Sequence, residues 1–149
     1  MKRKTNYTCG AATGGVEAEL SRRSYVVART QFNAQKVDLL CFKDGGPALK
    51  IQVKGISNQN GFRVQGDFLR GKIQNDLFLI VVYVPLSENE PFEYYIMTHK
   101  EAQKMWNECE TRRVVVKGLK PTSKGNEGLN WGDVKRHKDC WNKLEVQVK

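Results

Sequence analysis

Apolar positions recur along the chain with two different periods, and the changes of period mark out its elements. Ala12, Val16 and Leu20 stand four residues apart, the stripe of one helix face. They predict a helix over 11–23, with Arg22 and Arg23 at the end where the helix dipole favours cations. Gly14 and Gly15 each weaken that helix by about 1 kcal/mol relative to alanine. Strands are expected at 24–30 (SYVVART), 36–42 (KVDLLCF) and 48–55 (ALKIQVKG), the last two joined as a hairpin by the turn-forming DGGP. Residues 56–75 are polar, glycine-containing and basic, a long connection of the kind that often carries function. The unbroken apolar run at 76–84 (DLFLIVVYV) predicts a buried central strand, and 92–97 (FEYYIM) its neighbour across PLSENEP.

Thr98 and Glu101 have the spacing of a capping box. The helix they open would pack through Ala102, Met105, Trp106 and Cys109, at i, i+3, i+4 and i+7. Residues 117–132 read as loop, and a last helix over 133–144 would align Val134, His137, Trp141 and Leu144 along one side. The order α-β-β-β-loop-β-β-α-α predicts an α/β fold, a mixed central sheet flanked by helices.

Composition narrows the class. The 149 residues are 40% apolar with three tryptophans, which fits one globular domain over 1–149 and no disordered chain. No apolar run is long enough to span a membrane, and the basic N-terminus lacks the apolar stretch of a signal peptide. The expected location is therefore intracellular, in the cytoplasm. Cys9, Cys41, Cys109 and Cys140 are scattered, with neither zinc-ligand spacing nor a disulfide framework. The formal charge of +9 favours a polyanionic partner, of which nucleic acid is the commonest inside cells.

The chemistry centres on the expected hairpin. Asp38 interrupts one apolar strand, and Gln52 and Lys54 interrupt the next. Alternation puts Gln52 and Lys54 on one face of their strand, and pairing across DGGP can bring Asp38 beside them. Asp38 offers a hard carboxylate to Mg²⁺ (or Mn²⁺), Gln52 an amide oxygen and Val53 its backbone carbonyl. Lys54 can position a nucleophilic water or offset charge building on a phosphate. Such a set suits phosphodiester hydrolysis. Taken alone, Asp38 reads as a turn or strand-edge residue bonded to backbone, and Lys54 as a lysine at a strand end whose stem lies along the sheet; their register with Gln52 favours the site.

The pattern D-x13-Q-x-K behind an N-terminal helix resembles the PD-(D/E)XK nuclease superfamily, whose small stand-alone members share more than the motif. The segments VEAELSRRSYVV, VDLL, IQVKG, NDLFLIVVYV, FEYYIMTHKEA and KDCWNKL follow that family's order along nearly the whole chain. The resemblance implies a restriction-endonuclease-like fold and a metal-dependent endonuclease acting on DNA. It assigns catalysis and metal binding to Asp38 and Gln52, with the Val53 carbonyl as a further ligand and Lys54 as the catalytic lysine. These nucleases usually add a glutamate from the first helix. Here that position falls on Thr13, and Glu17 lies one turn further on, so either Glu17 substitutes or the acid is absent. The missing acid and the neutral Gln52 also allow an inactive nuclease-like module that only binds DNA or a protein.

For DNA contacts the sequence offers Lys2, Arg3 and Lys4 as an arm, and Arg63, Arg70 and Lys72 soon after the proposed catalytic strand. Lys117, Lys120 and Lys124 add charge in a polar loop. His99, His137 and Trp131 are expected to pack, although a loop tryptophan can also stack on a base. One such site cuts one strand at a time, so double-strand cleavage would suggest a homodimer.

Overall fold

The computed structural model describes residues 4–31, 37–64 and 67–145. Helix α1 (Thr5–Arg22) leads into strands β1 (Val26–Arg29), β2 (Leu39–Phe42) and β3 (Leu49–Ile56). A short β4 (Phe62–Arg63) precedes β5 (Leu77–Tyr83) and β6 (Glu93–Thr98), followed by α2 (His99–Thr111). A π-helical turn (Arg112–Val116), β7 (Gly128–Leu129), a one-turn α3 (Trp131–Val134) and two 3₁₀ turns complete the described chain. Five strands form one sheet in the order β1-β2-β3-β5-β6, antiparallel except for the parallel β3–β5 pair. β4 and β7 make a separate antiparallel ribbon. The mixed sheet flanked by helices is the expected fold class.

Alternation along β3 and β5 divides the core. Ile51, Phe78, Ile80 and Val82 meet Ala12, Val16 and Leu20 of α1 on one face. Leu77, Leu79 and Val81 meet Ala102, Met105 and Trp106 of α2 on the other. Helix α1 starts earlier than the apolar stripe alone predicts. Buried Thr8 continues the line of Ala12, Val16 and Leu20 by one more turn, and its hydroxyl hides it from a hydropathy pattern. Gly55 allows this approach, since a Cβ there would stand 2.8 Å from both the Thr8 carbonyl oxygen and the Ala12 Cβ. In the DGGP hairpin, Gly46 N–H donates to the Lys43 carbonyl (2.8 Å) and Gly45 takes the positive φ of 74° that the turn requires.

Helix α2 has the expected capping box, with Thr98 and Glu101 each accepting from the other's backbone N–H. The expected helix over 133–144 is broken. Val134 belongs to the α2-side core, whereas Trp141 and Leu144 belong to the α1-side core. The segment therefore passes around the β6 edge, where Lys138 bridges Tyr95 and Asp139 N–H donates to the Tyr94 carbonyl. A straight helix cannot serve both faces of a sheet.

Candidate active site at the split between two strands

Asp38 meets β3 at Val53, between Gln52 and Lys54, where β2 and β3 part. Their antiparallel pairing runs from Cys41–Leu49 to Leu39–Ile51 and goes no further. At Asp38 the chain bends. Its N–H donates to the Ile51 carbonyl in β3 (2.8 Å), while its carbonyl accepts from Thr30 N–H beyond β1 (3.0 Å). In a regular strand both groups of one residue point toward the same neighbour, so this irregularity re-aims the side chain. Asp38 Oδ2 consequently accepts the Val53 N–H at 2.8 Å. Thr30 fixes the bend from the other side, its hydroxyl donating to the Val37 carbonyl (2.6 Å) and within reach of that of Asp38 (3.2 Å).

The same geometry directs a second oxygen to this place. Val53 turns its N–H toward β2, and in an extended strand its carbonyl points the same way. Gln52 and Lys54 flank Val53 on the α2 side of the sheet, opposite Leu79 and Val81 in β5. Gln52 is buried and Lys54 half-buried, and neither side chain has a hydrogen bond or ion pair to another described residue. Burial pushes the Asp38 carboxyl above its ordinary value, and the Val53 hydrogen bond only partly offsets this.

Glu17 is placed differently. Gly15 faces Phe92, just before β6, and Tyr94 within it, and Glu17 lies on the other flank of α1, ion-paired with Arg29 of β1. It thus faces the β1–β2 side of the sheet, engaged by a guanidinium. Among the described residues, no three His, Cys, Asp or Glu side chains gather as a metal-binding group. The candidate donors nearest the contact of Asp38 with Val53 N–H are hard oxygens: the Asp38 carboxylate itself, the Val53 carbonyl and the amide of the adjoining Gln52. Their chemistry fits Mg²⁺, which uses few protein ligands and fills its shell with water and substrate phosphate.

This fold has a solved counterpart. The chain is similar to a bacterial homing endonuclease, I-Ssp6803I, with a TM-score of 0.52 and 16% identity, covering 98% of this chain and 95% of that one. No family model matches the chain, and neither does any curated protein. At this identity the likeness is one of fold, and it spans both chains almost end to end.

The candidate DNA contacts separate into groups. Lys2 and Arg3 lie outside the described residues. Lys4, Arg63 and Lys72 are exposed. Arg70 is exposed too, but it is already engaged, its Nε donating to Glu127 Oε1 at 2.6 Å and its guanidinium lying 5.6 Å from the Trp106 ring centre. Glu127 is only 2% exposed, so this pair already gives Arg70 a structural task. Behind β4, a cleft of about 700 Å³ reaches the end of α2 and includes Arg63, Arg112, Arg113 and Lys117 in its lining.

The aromatic and imidazole residues are structural, as expected. His99 is fully buried, accepting from Gln74 N–H at Nδ1 (3.0 Å) and meeting the Phe68 carbonyl at Nε2 (2.5 Å). His137 stands against Lys143. Trp131 packs edge-on against Tyr95 at 4.8 Å between centroids. Sequence reasoning missed Thr30 and Arg29. Neither falls in a motif: the chain beyond β1 brings Thr30 to Asp38 alongside β2, and α1 lying against β1 brings Glu17 to Arg29.

Proposed function

We propose that this protein is a metal-dependent endonuclease of the PD-(D/E)XK kind, hydrolysing DNA phosphodiester bonds at the β2–β3 split. The observation that carries the reading is the Asp38 carboxylate held at Val53 N–H, with Gln52 and Lys54 on either side of that residue. Asp38, the Val53 carbonyl and Gln52 would hold Mg²⁺, or Mn²⁺ in its place. When bound, the ion would lower the pKa of a water and neutralise charge on the phosphate. Lys54 Nζ orients the attacking water and stabilises the extra negative charge of the transition state. The water gives up a proton to bulk solvent as its oxygen attacks phosphorus in line, the opposite P–O bond breaks, and the leaving oxygen takes up a proton from solvent. Glu17 joins the site only when it is released from Arg29.

The fold likeness and the +9 charge support DNA as the polyanion. The test is cleavage of supercoiled, linear and branched DNA with Mg²⁺, Mn²⁺ or EDTA, by the wild type and by Asp38→Ala and Lys54→Ala. Metal-dependent cutting lost in both variants, with DNA binding retained, is the expected result. Nicked circles should precede linear product, because one site cuts one strand.

A second reading is a nuclease-like module that binds without turnover. The Glu17–Arg29 pair and the neutral Gln52 favour it, since together they leave a single carboxylate among the candidate donors at the split. Absence of cutting by the wild type, with DNA binding unchanged in both variants, would establish that reading instead.

A further inference from the structure

We propose that the loop leaving the proposed catalytic strand reads bases in the DNA major groove, with Gln59 and Asn60 as adenine-recognising side chains. This rests on the DNA-cleaving reading above and deepens it, by naming what determines where the DNA would be cut.

The loop Ser57-Asn58-Gln59-Asn60-Gly61 continues directly from β3, beyond Lys54, Gly55 and Ile56. It leaves the sheet at the end where Asp38 splits β2 from β3. Residues 58–61 are exposed, and three consecutive amide side chains lie on the surface. The roots of the loop are firm. On the strand side, Val84 N–H donates to the Ile56 carbonyl at 2.7 Å. On the far side, Phe62 and Arg63 pair with Leu129 and Gly128, and Val64 N–H donates to the Glu127 carbonyl at 3.0 Å. Gly128 lets the two backbones close up, since a Cβ there would lie 2.3 Å from the Phe62 carbonyl oxygen. Beneath them, Glu127 is locked by Arg70 and by Gly125 N–H. An exposed tip on fixed roots is what a specificity element needs, because a loose reader loses its discrimination to ordering entropy.

The three amides divide their work. Asn58 Oδ1 accepts Asn60 N–H at 3.1 Å and so shapes the tip. Gln59 and Asn60 have no side-chain hydrogen bond to a described residue, leaving an acceptor and a donor on each. That pair of groups matches adenine N6 and N7 at the major-groove edge. Reach is consistent as well. Five extended residues from Lys54 to Gln59 span at most about 18 Å. Base pairs stack about 3.4 Å apart, so the bases read would lie within about five pairs of the scissile phosphate. Exposed Arg63, at the loop's other root, can hold a phosphate and fix the register while carrying no sequence information.

The experiment is selection of bound duplexes from a random-sequence library in EDTA, so that cutting plays no part, using the wild type, Gln59→Ala and Asn60→Ala. Cut sites are then mapped with Mg²⁺ on the sequences selected. The wild type should enrich a motif containing adenines within about five base pairs of the cut. Each variant should lose about 5- to 150-fold of the preference for adenine at one position, while keeping its affinity for unselected DNA. The proposal is overturned if the wild type enriches no motif, or if the variants enrich the same one. It is equally overturned if they lose affinity for all sequences alike, which would make these residues backbone contacts. Failure of the nuclease reading shows separately, as wild-type protein that selects a motif but never cuts it.

Discussion

Asp38 is at once the irregular residue of this sheet and its most informative one. Its carboxylate satisfies a backbone N–H that the departing β2 strand has left behind, and it does so in a partly buried place where its charge is disfavoured. The sign of the stability effect follows. Burial raises the folded-state pKa above the unfolded value, so the folded protein holds the proton more readily. The cost of the ionised form is complete above the folded pKa and is relieved as pH falls through it. Asp38→Asn keeps an oxygen for Val53 N–H and removes the buried charge. Its urea midpoint at pH 7 should equal or exceed that of the wild type. Under the proposed function cleavage should fall by about 10³-fold or more, because the carboxylate proposed to hold the metal is gone. A variant that is clearly less stable would mean that the charge itself holds the bend. On the same grounds kcat/KM should fall on the acid side at a pH above the ordinary aspartate range, which a pH–rate profile reads directly.

At the scale of elements, the long connection 57–76 is held to the body largely by α2. Buried His99 takes the Gln74 N–H and the Phe68 carbonyl, and Gln103 donates to the carbonyls of Phe68 (3.3 Å) and Gly71 (3.0 Å). His99→Ala would empty a packed ring site against Phe68, orphan the Gln74 N–H and leave the Phe68 carbonyl to Gln103 alone. We expect destabilisation of about 3 kcal/mol in urea unfolding, with faster amide exchange concentrated in 67–76 and little change in β2 or β3. Uniform loosening of the whole sheet would contradict this. None of it was legible in the sequence, where His99 reads simply as the residue after an N-cap. What was legible is what local pattern determines: the DGGP hairpin, the capping box at Thr98, and the faces shared by Gln52 and Lys54. The start of α1 and the broken segment after Trp131 were hidden. Thr8 is buried by a close helix–strand approach that only Gly55 permits, and the chain after Val134 must serve two cores on opposite sides of the sheet. The position of Glu17 was hidden for a similar reason, since the flank a helix turns to a strand split depends on how it lies across the sheet.

For the molecule as a whole, the excess of nine positive charges is distributed between two tasks, and one comparison separates them. Arg63 and Arg70 look alike in sequence, both in the basic connection after β3. In the structure Arg63 is exposed beside the cleft, whereas Arg70 neutralises buried Glu127. Burial opposes the charge on Glu127, and its backbone hydrogen bonds and Arg70 more than offset that, so its carboxyl titrates below the ordinary range. Removing Arg70 leaves the buried carboxylate with backbone hydrogen bonds only, a cost further discounted because Arg70 itself is half-exposed. Arg70→Ala should therefore cost about 2 kcal/mol of stability while leaving the salt dependence of DNA binding unchanged. Arg63→Ala should do the reverse. Its unfolding midpoint should match that of the wild type, and the slope of log Kd against log salt should fall by about 0.9, as expected when one phosphate fewer is neutralised. With about six exposed cations engaged, the wild type should weaken by about 10³-fold between 50 and 200 mM salt. If Arg70→Ala lowers the slope and Arg63→Ala does not, the DNA lies over the other face of this ribbon, and the cleft behind β4 is not on its path.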